Sequence, residues 1–383
     1  MRVRNREAAG GETIYLDNAA TTAVSAAVRA AMEPCASESY GNPSSRHDLG
    51  LAAERLLRQA RQQIVDRLDA EPAQLTWTSG GSEALALAIL GAPQRRSGAP
   101  NVVISNVEHD AVQQTARMLT QRGYSVRTAA VNRGGWVSAE TVAAAIDDDT
   151  QLVAVMHVNN ETGIIQPVAE IAQAIKAKND RALFVVDTVQ SLGKLPLSLD
   201  ALGADVIIGS AHKLHGPKGS GFLLRRRNLT LSPLWRGGNQ EQGLRHGTEN
   251  VAGAVGFAAA LTSYRADNAQ WSAWAEQLIK TIREIRPDAV SLGDPDRRVA
   301  HILAVAIPAM RSETLVNALS QVRVMTSSGS ACHSRGNQQS PVLAAMNIDK
   351  RFGVVRFSFG MLNNQTQIDQ ACQRIADTLQ RLR

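Results

Sequence analysis

The amino-acid sequence predicts an α/β protein: a large domain on a mainly parallel central sheet, then a smaller α+β domain at the C-terminus. Three observations predict it. Short, β-branched apolar runs alternate with longer stretches of helical periodicity as far as residue 225, the pattern of βαβ units. Polar, chemically capable residues cluster immediately after those runs, where open α/β sheets bind their ligands. Beyond a long helical segment the pattern resumes on a smaller scale, which puts a boundary near residue 265. Residues 14–265 then form the large domain, 266–383 the small one, and 1–13 an arm.

Thr13–Asp17 reads as a short strand, Asn18–Thr22 as a polar loop, and an Ala-rich helix begins near Ser25. Gly and Pro mark Tyr40–Ser45 as a loop. From His47 to Leu68, Leu49, Ala52, Ala53, Leu56, Leu57, Ala60 and Ile64 recur at helical spacing. Gln74–Thr78 is a strand. Ser79-Gly-Gly-Ser-Glu83 then turns the chain into a helix from Ala84 to Leu90. Strands follow at Val102–Ser105, Val126–Val131, Leu152–His157, Leu183–Asp187 and Val206–Ile208. Helices are expected from Glu108 to Gln121 and from Val168 to Lys178. Leu231–Thr248 is too polar for a packed element and reads as an ordered loop or a dimer-contact arm. Helices at Val251–Arg265 and Gln270–Arg286 lead into the small domain. Its strands are expected at His301–Ile307, Val322–Thr326 and Val354–Ser358, and its helices at Glu313–Ser320 and Gln365–Leu382.

With 383 residues and a formal charge of +6, the chain has the composition of a globular protein. No apolar run is long enough to span a bilayer, and Met1–Gly11 lacks the apolar core of a secretory signal. The densest basic run, Arg225-Arg-Arg227, is either a nucleic-acid or acidic-partner contact or a solvated strand end. Three widely spaced cysteines, Cys35, Cys332 and Cys372, exclude a disulfide framework and a CxxC zinc site. They indicate a reducing, cytoplasmic compartment.

The stretch from Asp205 to Leu224 carries most of the chemistry. A buried strand ends at once in Ser210, His212 and Lys213, and Gly216-Pro217 and Gly219-Ser-Gly221 turn the chain into a second apolar run, Phe222-Leu-Leu224. A lysine held there is either a solvated turn residue or an amine with a depressed pKa that can form a Schiff base with an aldehyde. Strand, Gly-rich turn, then helix at Thr78–Leu90 makes an anion cradle of backbone N–H groups, without the lysine of a Walker loop. Five polar clusters fall at strand ends: Ser79–Ser82, His109, Asn160, Asp187 with Gln190, and Ser210–Lys213. Between the last strands, small and polar residues surround Cys332. The expectation there is an exposed, mobile thiol, with His333 and Arg335 available to favour thiolate.

Several segments together resemble the cysteine desulfurases, pyridoxal-phosphate enzymes of the aspartate-aminotransferase fold (fold type I). They are Tyr15-Leu-Asp-Asn-Ala-Ala-Thr-Thr22, Gly41-Asn-Pro-Ser-Ser45, Thr78-Ser-Gly-Gly-Ser-Glu83, Glu108-His109, Met156-His-Val-Asn-Asn-Glu161, Val186-Asp-Thr-Val-Gln-Ser191, Ser210-Ala-His-Lys213, Ser327-Ser-Gly-Ser-Ala-Cys332 and Arg356-Phe-Ser-Phe-Gly360. The resemblance spans nearly the whole chain, and the Ser-Ser-Gly-Ser-Ala-Cys form is that of the subgroup with a longer cysteine loop.

The resemblance implies roles by matching position. Lys213 is the Schiff-base lysine. His109 stacks on the cofactor ring as an acid/base, and Asp187 pairs with the ring nitrogen. Gln190 and Asn160 contact the ring hydroxyl and the substrate region. Gly81, Ser82, Ser210 and His212 form the phosphate cup, completed by Thr248 from the second subunit of a homodimer. Arg356 grips the substrate carboxylate, and Cys332 accepts the sulfur as a persulfide for an acceptor protein serving iron–sulfur assembly or tRNA or DNA thiolation. Two departures stand out. Ser82 replaces a common threonine, keeping the hydroxyl, and the residues after Cys332 (His-Ser-Arg-Gly-Asn-Gln-Gln) leave the usual small-residue pattern. Competing readings are a selenocysteine lyase, an aminotransferase, and a non-catalytic nucleic-acid-binding relative.

Overall fold

The structure is a computed structural model that describes residues 12–92, 98–329 and 339–382. The chain divides into two compact units, one of residues 21–159 and 165–265, the other of residues 1–20, 160–164 and 266–383. The strand expected at Thr13–Asp17 shortens to β1 (Ile14–Tyr15) and pairs in parallel with a strand of the C-terminal part. Residues 14–20 therefore group with the second unit, where the sequence reading had put them in the large domain. Their hydrogen-bonding backbone, more than their position in the chain, decides the assignment.

The larger unit begins with α1 (Ala26–Met32), capped by Ser25, α2 (Pro34–Ser37) and α3 (Asp48–Arg67). Of the apolar spacing read from the sequence, Ala53, Leu57, Ala60 and Ile64 form the buried stripe of α3, while Ala52 and Leu56 are half-buried at its margin and Leu49 is exposed. The chain then runs through β2 (Leu75–Thr78), α4 (Gly81–Leu90), β3 (Asn101–Ser105), α5 (Asp110–Thr120), β4 (Ser125–Ala129), α6 (Ala139–Ala145), β5 (Thr150–Met156) and α7 (Val168–Lys178). It continues with β6 (Leu183–Asp187), α8 (Leu199–Leu202), β7 (Val206–Ser210), β8 (Gly221–Arg225) and α9 (Val251–Ser263).

Seven strands form one sheet in the order β2-β8-β7-β6-β5-β3-β4. Only β8 runs against its neighbours, so β2 lies parallel to the rest. That reversal follows from the short Gly-Pro-Lys-Gly connection after Lys213, which permits a hairpin but no crossover. Every residue of β2, β3, β5, β6 and β7 is buried, as expected of a sheet covered on both faces. Because β2, β3, β5, β6 and β7 point the same way, their carboxyl ends share one edge, and the polar clusters of the sequence follow those ends.

The smaller unit contains α10 (Asn268–Ile285), β9 (Val290–Ser291), β10 (Ile302–Pro308), α11 (Ser312–Gln321), β11 (Val324–Met325), α12 (Pro341–Ala345), β12 (Phe352–Ser358) and α13 (Gln365–Arg381). The order β12-β10-β9 is antiparallel throughout, and β11 pairs with β1 instead. α10 and α13 are joined by Trp274, whose ring N–H donates to Gln365 Oε1 at 2.8 Å and whose ring meets that of Phe359 in a T-shaped contact, centroids 5.6 Å apart. Short α6, β9 and α12 were not expected; each is too brief to show a period.

Among the described residues, no helix is long and apolar enough to cross a membrane. The basic run at Arg225 is engaged internally. Arg226 pairs with Asp200 at 2.9 Å and Asp205 at 3.3 Å, Arg227 pairs with Glu71 at 3.2 Å, and Arg225 donates to the Leu229 carbonyl at 2.7 Å. A strand end tied to local acids is the reading this favours over a nucleic-acid patch.

Candidate active site

Lys213 ends a single 3₁₀ turn, Ala211–Lys213, that follows β7 without a break. Backbone bonds close the turn: Leu214 and Gly216 donate to the Ala211 carbonyl at 2.9 and 3.0 Å, and Ala211 donates to Ser220 at 3.0 Å. Side chains hold it too: Thr22 Oγ1 donates to the His212 carbonyl at 2.9 Å, and Lys194 Nζ to the Lys213 carbonyl at 3.2 Å. His215 takes a left-handed conformation, φ 60°, to reverse the chain. On the adjacent strand end, Asp187 is buried and accepts from the Val189 N–H at 2.9 Å. Burial raises its carboxyl above the ordinary range, while Val189, His109 and Lys213 pull against that rise. The lysine, the carboxylate and the histidine thus share one electrostatic environment.

His109 caps α5. Its Nδ1 accepts from the Ala111 N–H at 3.1 Å, which leaves the proton of a neutral ring on Nε2. His212 faces Thr21 Oγ1 through Nδ1 at 3.1 Å. Burial, followed by the charges of Lys213, Lys218, Lys194 and His109, lowers His212 to about 4, so its imidazole is neutral at pH 7. Gln190 is buried on the turn beyond Asp187, and Ser210 is buried at the end of β7.

α4 starts at Gly80 with no side-chain cap on its first turn. A Cβ at Gly81 would stand 2.9 Å from Val189 Cγ2 and 3.8 Å from Ser210 Cβ, so glycine is what lets helix and strand end approach. An uncapped helix start, the hydroxyls of Ser82 and Ser210 nearby in the fold, and a buried acid facing a lysine fit a phosphorylated pyridine aldehyde. The helix start and hydroxyls suit the phosphate, Asp187 the ring nitrogen and Lys213 the aldehyde. Glu83 ties the loop: it accepts from the Ser79 N–H at 2.6 Å and pairs with Arg245 at 2.9 Å. Burial pushes Glu83 up, but Arg245 and Ser79 together hold it below its usual value.

In the smaller unit, Arg356 is fully buried on β12. It donates to the Asn160 carbonyl at 2.7 Å and to Asp17 at 2.6 Å, and its Nε has no hydrogen-bond partner. A buried guanidinium with one carboxylate on one edge and an unmet donor is suited to a second carboxylate.

A family model described as aminotransferase class-V matches residues 14–371. The chain belongs to that family. Within it, relatives matched over nearly the whole chain include cysteine desulfurases. A putative cysteine desulfurase IscS 1 of Bacillus subtilis (strain 168) is 38% identical over 379 residues, covering 97% of this chain and all of that one. The solved structure of a NifS-like protein aligns with a TM-score of 0.88 at 32% identity, covering 96% of this chain and 99% of the other. SspA, solved in complex with cysteine, aligns with a TM-score of 0.81 at 32% identity over 91% and 99%. Class-V aminotransferase-like enzymes work with pyridoxal phosphate, and the sheet order and strand-end residues agree with that fold type.

The structure brings Gly81, Ser82, His109, Asp187, Gln190, Ser210, His212 and Lys213 together at one sheet edge of the larger unit. Asn160 and Arg356 are joined in the smaller one. Thr248 lines a cavity of about 150 Å³ with Ser79, Gly219 and Arg245. Cys332, with His333 and Arg335, lies outside the described residues.

Two residues were passed over. Asp17, in a motif noted only for its resemblance, is the ion-pair partner of Arg356. Glu108, noted only beside His109, is a buried acid that accepts from Ser105 Oγ at 2.5 Å and from the Met156 N–H at 2.8 Å on one oxygen, while the other has no partner. Burial raises it to about 8, with Ser105 and Met156 opposing and Asp187 adding repulsion. The folded protein therefore keeps this proton to about pH 8, where the unfolded chain releases it near 4.5. Stability from this group is full below that lower value and declines as pH rises to the upper one. Glu108→Gln should flatten the fall in urea midpoint between pH 5 and pH 8; a slope identical to wild type would show that Glu108 is ionised in the fold.

Proposed function

We propose that this class-V protein desulfurates L-cysteine to L-alanine and carries the removed sulfur on Cys332 as a persulfide. The observation that carries the reading is the convergence of Lys213, Asp187 and His109 at one sheet edge, beside an uncapped helix start, in a chain whose relatives over nearly the whole length include cysteine desulfurases. Bound pyridoxal phosphate supplies an aldehyde that holds amines covalently and a ring that spreads the electron pair left at the α-carbon.

The chain's own residues do the rest. Asp187, shielded from water, holds positive charge at the ring nitrogen. Ser82, Ser210, His212 and the N–H groups at Gly81 hold the phosphate, together with Thr248 of the partner subunit in a homodimer. Lys213 Nζ takes the substrate α-proton and returns a proton later. His109 presents its Nε2 proton toward the ring, and Gln190 and Asn160 orient ring hydroxyl and substrate. The Arg356 fork holds the substrate carboxylate. The Cys332 thiolate attacks the substrate sulfur; the S–S bond of the persulfide forms as the substrate Cβ–S bond breaks, its electron pair stays with the carbon framework, and protonation completes L-alanine. The outer sulfur then passes to an acceptor protein in the cytoplasm.

The test is mass spectrometry of protein treated with L-cysteine, alongside assay of alanine. One added sulfur on the peptide containing Cys332 is expected. Sulfur on Cys35 or Cys372 alone, or keto-acid formation without alanine, would refute the assignment.

A further inference from the structure

Lys194 is buried in the larger unit, although it belongs to the residue type least tolerant of burial. It lies on the turn that leaves β6 after Asp187 and Gln190. That turn is tight: Ser191 and Leu192 donate to the Thr188 carbonyl at 3.1 and 2.8 Å, and Lys194 and Leu195 donate to Ser191 at 2.9 and 3.0 Å. Lys194 Nζ donates to the backbone carbonyl of Lys213 at 3.2 Å and stands 5.5 Å from the centre of the Tyr264 ring. The Tyr264 ring stacks in turn on His215, the left-handed residue that closes the Lys213 turn.

A second contact joins the same two segments. Gly193 has φ +72°, and a Cβ there would stand 3.0 Å from Leu214 Cδ2 and 3.4 Å from Tyr264 Cδ1. The turn carrying Asp187 and the turn carrying Lys213 are thus seated on each other. Beyond the effect of burial, Lys194 and Lys213 repel one another, both lower His212, Lys194 also lowers His215, and Lys213 with His109 lowers Asp187; Lys218 and His109 also lower His212. Burial, then repulsion from Lys213, lowers Lys194 to about 7. Ammonium or amine, the nitrogen still has N–H to donate, so the bond to the carbonyl survives its titration.

We propose that Lys194 is a positioning residue for the reaction. From the loop that bears Asp187 and Gln190, it holds the Lys213 carbonyl and so fixes the direction in which the Lys213 side chain leaves its turn. The inference rests on the reading of Lys213 as the cofactor lysine, and it adds a group outside the pyridoxal-phosphate contacts.

The experiment compares wild type, K194M and K194R as apoproteins mixed with pyridoxal phosphate. Three readouts are followed: growth of the visible absorbance of lysine-bound cofactor, visible circular dichroism per bound cofactor, and the thermal midpoint of the apoprotein. In K194M, bond formation should slow about tenfold or more, since ångström misplacement of a reacting group costs that much. Its ellipticity per cofactor should fall to roughly half or less, the mark of a loosened site. K194R keeps a donor and should recover most of both. If K194M yields no folded apoprotein, K194Q is measured in the same way, its shorter amide leaving the carbonyl unheld. Wild-type rate and ellipticity in folded K194M or K194Q would overturn the proposal. So would equal deficits in K194M and K194R, which would mark packing alone. Wild type with no Lys213-dependent band would remove the cofactor-lysine reading itself, and this inference with it.

Discussion

Replacing Lys213 by alanine should abolish the visible band of lysine-bound cofactor and lower turnover by about 10²- to 10⁴-fold, the range for loss of a positioned acid/base. The loss should be chemical and leave the fold intact. The Ala211–Gly216 turn is closed by backbone groups, Leu214 and Gly216 to Ala211, and none of these bonds uses the Lys213 side chain. Buried Ser210 and neutral His212 also remain, so Lys213→Ala should still bind the phosphorylated cofactor without a covalent bond. Absorbance and borohydride reduction followed by peptide mapping provide the check. A retained, reducible band would move the assignment to another lysine. Lys194 and Lys218 are the two whose charges reach the same histidine.

Cys332→Ala should keep the cofactor spectrum and its response to L-cysteine, yet release sulfide at least about 10²-fold more slowly, because the attacking nucleophile is gone. The other thiols are poor substitutes. Cys35 and Cys372 are buried, and burial pushes both thiols up, away from the reactive thiolate form. Cys35→Ala and Cys372→Ala should therefore desulfurate normally. Unchanged sulfide release by Cys332→Ala would eliminate the persulfide route, and impaired release by Cys35→Ala would redirect attention to the helix pair around α2.

Much of the larger unit was legible in the sequence because its strands are buried on both faces and read as unbroken apolar runs. Val168–Lys178 and Leu183–Asp187 coincide with the expected bounds. The direction of β8 was not legible, since an apolar run carries no sign of its orientation. The strand at Ile14 was visible, but its partner Val324 lies too far along the chain for any local pattern to announce. The site shows the same division. Lys213, Asp187 and His109 stand at strand ends and carry recognisable chemistry. Asp17, Glu108 and Lys194 act on other residues through contacts made only by folding, and a charged residue in a turn looks solvated until its burial is known.

The loop from Leu231 to Thr248 has one further consequence. The Glu241 side chain is almost wholly buried, pairs with Arg61 at 2.6 Å and accepts from the Trp77 N–H at 2.8 Å. It does so from a left-handed backbone, φ 47°, with Gln242 beside it at φ 58°. The inner end of this polar excursion is therefore nailed to β2 and α3 during folding, and its freedom is lost then. A second molecule docking on Thr248 or its neighbours would meet a surface already frozen in shape, and would surrender little beyond its own tumbling.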